Sequence, residues 1–287
     1  MGTNKLEVIL LNYKIVADSS CDLNEELEKK LNIGIVPLKI DIEDKSFVDD
    51  SNLDTKKLLS AMKSSDKPVK TSSPSPGDFL KEYEKGENVF VVTLSSALSS
   101  TYSNAVLAKN IALESSDKFI HVFDSLSASI GETLVSLKIF ELIEENFKPK
   151  DIVEKVEKYI KEMKTFFILE SLDNLMKAGR ISKAMGHIAS MISIKPIMGG
   201  DHDGTIKLVE KVRGSKKAFR RLVDIIGEKG ENFEDKILGI AHCNALEKAE
   251  ELKAQIEERY NFKDIIIVET RGLSTAYAND GGIIVAF

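Results

Sequence analysis

The chain has 287 residues, of which 43% are hydrophobic and 30% charged, with a net charge of −6. That is enough apolar side chain for a sizeable soluble core in one large or two ordinary domains. The acidic balance, with no long like-charge run, argues against a nucleic-acid partner and means that an anionic ligand would need local donors.

The opening MGTNKLEVILLNYK has no signal-peptide pattern, and the longest apolar runs are strand-sized, well short of the roughly 20 residues of a membrane helix. YKIVADSS reads as a buried strand ending in a polar turn. CDLNEELEKKLN follows as a helix, with Asp22 as its N-cap and Glu25 placed for a capping box. IGIVPLKIDI is a strand broken or edged by Pro37. NLDTKKLLSAMKSS and GDFLKEYEKG are helical, the second opened by a Pro- and Ser-rich loop. VFVVTL is a buried strand, SSTYSNAVLAKNIALES a helix, FIHVFD a strand, and a long helix runs from about Ser129 to Glu145. Such alternation predicts βαβ units, a mainly parallel sheet with flanking helices, and a ligand at the carboxyl ends of its strands.

DIVEKVEKYIKEMK is an amphipathic helix near a change of character. Beyond it come a strand at FFIL, a short helix stopped at Gly179, a β-ribbon at TIKLVEKVRG, and alternating strands and helices to GGIIVAF. The expected fold is α/β in two domains, an N-terminal one over 13–160 and a C-terminal α/β domain over 161–287.

Three segments are dense in hydroxyls: DSS at 18–20, TSSPS at 71–75 and SSALSST at 95–101. Each sits where a strand or loop hands over to a helix. Helix N-termini offer unpaired N–H groups, and Ser and Thr add side-chain donors, so converging loops of this kind form a neutral cradle for a carboxylate or phosphate. The plainer account is that these residues cap helices. Cys21 and Cys243 are the only cysteines and form no CxxC, so no zinc or redox pair is expected, and two thiols suit a reducing cytosol. The four histidines show no metal-ligand spacing; His121 and His242 read as core residues, His187 and His202 as structural or surface ones. No GxSxG elbow, Walker A or GxGxxG occurs. Asp18 reads as a capping residue rather than a nucleophile.

VADSSCDL, VKTSSPSPGDF, VVTLSSALSSTYSNA, VFDSLSASIG, LDNLMKAGRISK, the KPIM–DG–IKLVEKVRGSKKA series and GGIIVAF follow one another from Tyr13 to Phe287. In this order they resemble the DegV family. That resemblance implies a cytoplasmic, non-catalytic protein that holds a long-chain fatty acid between its two domains. It would present the acid to a separate fatty acid kinase, which makes an acyl phosphate. No metal and no further cofactor are implied. The carboxylate-binding residues would be Thr71, with Ser95, Ser96 and Ser99 as serine candidates, Ser96 and Ser99 preferred. Tyr277 stands where many members have a histidine; its hydroxyl donates a hydrogen bond but carries no positive charge. Ser100 replaces a glycine of the usual pattern. The candidates for the acyl tunnel are Ile130, Phe167, Leu169, Met185, Ile188, Met191, Ile192 and Ile194. Arg180 and Arg213 are the candidates for kinase docking. Two other readings stay open: a Ser-dependent enzyme acting on a small carboxylate or phosphate ester through Ser96 or Ser99, and a lipid-sensing regulatory module.

Overall fold

The computed structural model describes residues 12–185 and 193–287. Its first sheet is four-stranded and wholly parallel, in the order β2-β1-β6-β7. The strands are β1 (Tyr13–Asp18), β2 (Gly34–Val36), β6 (Asn88–Thr93) and β7 (Phe119–Asp124). Val16 lies opposite Gly34 on one side and Val91 on the other. Both faces of this sheet are covered, which is why β6 reads VFVV without polar alternation. The chain leaves β1 toward β2 on one side and reaches β6 on the other. The strand order therefore reverses between β1 and β6, and their carboxyl ends carry Asp18-Ser19-Ser20 and Leu94-Ser95.

Pro37 divides the predicted second strand. β2 stays in the parallel sheet, while β3 (Lys39–Ile42) turns away into a small antiparallel sheet with β4 (Lys45–Val48) and β5 (Lys70–Ser72), in the order β4-β3-β5. A proline has no N–H for a ladder bond, so the chain changes partners there.

The helices of this half are α1 (Glu25–Leu31), α2 (Thr55–Ser64), α3 (Pro76–Tyr83) and α4 (Thr101–Leu113). Asn24, not Asp22, caps α1: its side chain accepts from Leu27 N at 2.9 Å. Glu25 is consequently the first helical residue and forms no capping box. Asp22 is drawn inside, where it accepts from Ser129 Oγ at 2.5 Å and from Arg271 N at 2.6 Å.

Helix α5 (Ile130–Glu144) is buried along most of its length, with Ile130, Leu134, Ile139 and Ile143 at 1% exposure or less. A helix apolar on every side needs a partner on every side. It packs against β1 and β6 on one flank and against β11 (Ile237–His242) and β13 (Ile283–Ala286) on the other. Gly239 on β11 permits this approach, since a Cβ there would stand 2.3 Å from Ile130. The next helix, α6 (Pro149–Glu162), starts on its proline and buries Ile152, Val156 and Ile160, one turn apart.

The third sheet is mixed and six-stranded, in the order β10-β9-β8-β13-β11-β12. It comprises β8 (Thr165–Ile168), β9 (Ile194–Gly200), β10 (Ile206–Arg213), β11, β12 (Asp264–Glu269) and β13, with β11–β12 its parallel pair. Helices α7 (Asp173–Lys177), α8 (Ser215–Lys229), α9 (Leu246–Glu257) and α10 (Gly272–Ala278) belong to this half, with a 3₁₀ turn at Phe233–Asp235. Short α10 lies between β12 and β13 in sequence but packs on α2 and β3 of the other half. Among the described residues, no helix is long and apolar enough to cross a membrane.

Candidate ligand-binding site

The reversal point between β1 and β6 is where an open parallel sheet leaves a crevice. Here Asp18 occupies the strand ends themselves: it accepts from Ser20 N at 2.9 Å and, across the gap, from Leu94 N at 2.8 Å. The crevice continues outward as a cavity of about 910 Å³, its mouth included. Both halves of the chain build it. Leu38, Leu94, Leu98 and Leu126 come from the first, and Phe167, Leu169, Leu175, Leu273 and Ile284 from the second.

All three hydroxyl-rich segments reach this cavity, through Ser20, Thr71 and Ser99. A fourth, DSLSAS before α5, adds Ser127 and Ser129, and α10 adds Ser274 and Tyr277. The same sequence signal, serines at a strand-to-helix handover, was present in DSLSAS and would have found it. Nothing local in GLSTAYA marked Ser274.

These hydroxyls differ in what they have left to give. Ser129 donates to Asp22, and Ser274 donates to Ser20 O at 3.4 Å. Ser127 and Thr165 bond each other at 2.7 Å, and Ser127 also reaches Ala128 O at 3.4 Å. Thr71 Oγ1 and Tyr277 Oη lie 2.9 Å apart, and Ser99 Oγ and Thr101 Oγ1 lie 2.8 Å apart. Two hydroxyls that bond each other spend one proton and keep one. The Thr71–Tyr277 and Ser99–Thr101 pairs therefore each retain a donor for an incoming acceptor. Arg180 also lines the cavity, held by Nε to Leu98 O at 2.9 Å and by Nη1 to Ala178 O at 2.7 Å. Its guanidinium has five N–H groups, so these two bonds leave others available.

Of the three candidate serines, the structure brings Ser99 alone to the cavity. Ser95 is fully buried beside it and donates to Gly204 O at 2.9 Å. That contact requires glycine: Gly204 has φ +78° and a Cβ would stand 2.2 Å from Ser95 Oγ. Ser96 is exposed, and its backbone N donates to Asp124. Phe167 and Leu169 form cavity wall, whereas Ile130 is turned into the core against β11. Met185 packs on the main core cluster, and Ile194 opens β9; neither lines the cavity. Ile188, Met191 and Ile192 lie outside the described residues, as does His187. Arg213, at the end of β10, is exposed and faces Ile194 in the ladder. Neither His121 nor His242 lines the cavity: His121 packs at a tilt against Phe123, and His242 Nδ1 accepts from Ala245 N.

Behind the serines is a buried acidic cluster that sequence reasoning missed. Asp18, Asp22 and Glu132 are fully buried and Asp49 is 1% exposed. Loss of water pushes the carboxyls of Asp18 and Asp22 up to about 7, against the pull of the N–H and hydroxyl donors that they accept from. Burial and the neighbouring Asp18 hold the Glu132 carboxyl well above the usual carboxylate range, and neither of its oxygens has a hydrogen-bond partner among the described residues. Among the described residues no group of acids, histidines and cysteines is arranged to hold a metal ion.

Fold and cavity together define an α/β protein in which a parallel sheet and a mixed sheet enclose an apolar chamber with a hydroxyl-rich lining. The chain belongs to the DegV family, described as uncharacterised proteins, whose profile matches residues 12–287. A DegV domain-containing protein of Streptococcus pneumoniae is 34% identical over 280 residues, covering 96% of this chain and 99% of its own. A DegV-family crystal structure from Ruminococcus gnavus, refined with vaccenic acid, superposes with a TM-score of 0.92 at 43% identity, covering 96% of this chain and 100% of its own. The fatty acid kinase B3 protein of Streptococcus pneumoniae, loaded with linoleic acid, superposes at 0.89 with 33% identity, covering 96% and 99%.

Proposed function

We propose that this chain binds a long-chain fatty acid in the chamber between its lobes, taken as residues 13–160 and 161–287, and presents it to a separate kinase for conversion to an acyl phosphate. The observation that carries this is the pairing of a long apolar wall with hydroxyl pairs that keep a spare proton, Thr71–Tyr277 and Ser99–Thr101. Burying a sixteen-carbon chain contributes on the order of 10 kcal/mol before the costs of binding, at about 0.8 kcal/mol per methylene. The carboxylate loses its water and must regain hydrogen bonds. Neutral hydroxyls do this without competing internal counter-ions, and Arg180 adds a cation to the same lining. The fatty acids held by two structural relatives, and the kinase association named for one of them, support the reading.

The chain acts as a carrier in this scheme, with no catalytic residue of its own and the fatty acid as its one ligand. A serine nucleophile would need a base within reach. Ser99 instead bonds Thr101, and His121 and His242 are engaged elsewhere. The exposed Arg213 is a candidate contact for the kinase; Arg180, tied to Leu98 O and Ala178 O, acts at the chamber. The test is native mass spectrometry of the purified protein, before and after delipidation and reloading. A bound acid of roughly fourteen to eighteen carbons is expected for a pocket of this class. Failure both to carry lipid and to take up added palmitate would end the proposal. Incubating loaded protein with a fatty acid kinase and ATP, and assaying acyl phosphate, tests the second half.

A further inference from the structure

Asp49 does not line the chamber. It follows β4 in the small sheet, is 1% exposed, and its backbone N donates to Leu38 O at 3.0 Å. Its two carboxylate oxygens accept from Gly272 N and Leu273 N, each at 2.8 Å. Those are the first two N–H groups of α10, which have no partner inside the helix. The residue at the cap position, Arg271, makes no side-chain cap bond. The cap is instead supplied from more than 220 residues away.

Two further contacts hold the same helix start. Asp22 accepts from Arg271 N at 2.6 Å, and the Arg271 guanidinium pairs with Glu28. The approach leaves no room for a side chain at Gly272, where a Cβ would stand 2.6 Å from Asp49 Oδ1 and 2.2 Å from Leu53 Cδ2. From this anchored start α10 carries Leu273, Ser274, Tyr277 and Ala278 to the chamber. Its far end meets the small sheet again, where Tyr277 Oη lies 2.9 Å from Thr71 Oγ1 on β5. The capping acid directly follows β4 and the threonine lies on β5 of the same three-stranded sheet, so α10 is held at both ends from that one unit.

We propose that Asp49 is a positioning residue for ligand recognition: its cross-lobe cap on α10 sets the Tyr277 hydroxyl against Thr71 so that the pair presents one donor to the acid group. This rests on the reading that those hydroxyls receive a carboxylate. The physical basis is steepness. Hydrogen bonds weaken sharply as distance and angle drift, and α10 is only seven residues long, so a small tilt at its start displaces the phenol at its end. Charge-assisted bonds to a buried carboxylate are stiff enough to prevent that tilt. The apolar wall is built by many other residues and does not depend on the tilt.

The experiment compares palmitic acid with 1-hexadecanol, which shares the chain and lacks the carboxylate. Dissociation constants are measured on the delipidated full chain by displacement of a fluorescent fatty acid, for wild type, Asp49→Ala, Asp49→Asn and Asp49→Ala with Tyr277→Phe. In Asp49→Ala the preference for acid over alcohol falls by about tenfold, while alcohol affinity stays within about threefold. Asp49→Asn keeps one acceptor, retains an intermediate preference, and gives a measurable ratio should the alanine variant not fold. Adding Tyr277→Phe to Asp49→Ala produces no further loss of preference, because the phenol is already misplaced. An acid preference in the wild type that survives unchanged in both Asp49 variants overturns the positioning role alone. Equal affinity of the wild type for acid and alcohol overturns the carboxylate reading and takes the Asp49 assignment with it.

Discussion

Replacing Thr71 by valine keeps the side chain's shape and removes one hydroxyl. In the free protein it deletes the 2.9 Å bond to Tyr277, a neutral bond worth about 0.5–1.5 kcal/mol at a half-buried position. In the loaded protein it also leaves the carboxylate short of a donor. Hydrogen bonds to charged groups are worth about 1.5–3 kcal/mol, and partial exposure discounts that. A net weakening of about 1–3 kcal/mol is expected, or roughly 5- to 150-fold in Kd. Calorimetric titration of the delipidated protein with palmitate reads this directly, with thermal melts of the free forms as the control. Because Tyr277 shares the pair, Tyr277→Phe in a double-mutant cycle with Thr71→Val should show a coupling of at least about 0.5 kcal/mol. Unchanged palmitate affinity in Thr71→Val, or strict additivity of the two changes, would refute the idea that this pair receives the acid group.

Ser99→Ala should weaken palmitate binding by about 0.5–2 kcal/mol, since it removes one member of the other donor pair, whereas Ser96→Ala, at an exposed site outside the lining, should change Kd by less than about twofold; the reverse order would move the head group to the other serine. Glu132→Gln tests the buried acids. The folded chain holds the Glu132 proton that the unfolded chain releases above its ordinary carboxyl range, because burial raises the folded value well above 4.5. Stability from this group is therefore full in acid and lost as pH rises from about 4.5 upward. Urea midpoints of the wild type should fall relative to Glu132→Gln as pH goes from 5 to 8, and parallel curves would show that Glu132 does not titrate in this way. Gly204→Ala should destabilise the β9–β10 turn by more than about 1 kcal/mol, since φ is +78° and the new methyl meets Ser95 Oγ at 2.2 Å; an unchanged melting temperature would contradict the close approach.

Much of the architecture was written locally. Continuous apolar runs such as VFVVTL and the turn-by-turn spacing of Ile152, Val156 and Ile160 belong to single elements, and a strand or helix buries whatever face its own period makes apolar. Serines at strand-to-helix handovers were equally visible, because the carboxyl ends of parallel strands converge whatever the rest of the chain does. Asp22 was misjudged as a cap for a related reason. An acid just before a helical pattern is locally indistinguishable from one held by Arg271 N, 249 residues away.

Local pattern encodes which face of an element is apolar, and so the chain by itself determined its α/β class, most of its described strands and helices, and the hydroxyl-rich loops. It does not encode which loops touch. The tertiary structure decided that Ser99 reaches the chamber while Ser95 turns to Gly204 and Ser96 to solvent, and that α10 docks on the opposite half through Asp49. Hydrogen bonds and desolvation depend on where a group ends up in space, and neighbours separated by hundreds of residues leave no periodic trace along the chain.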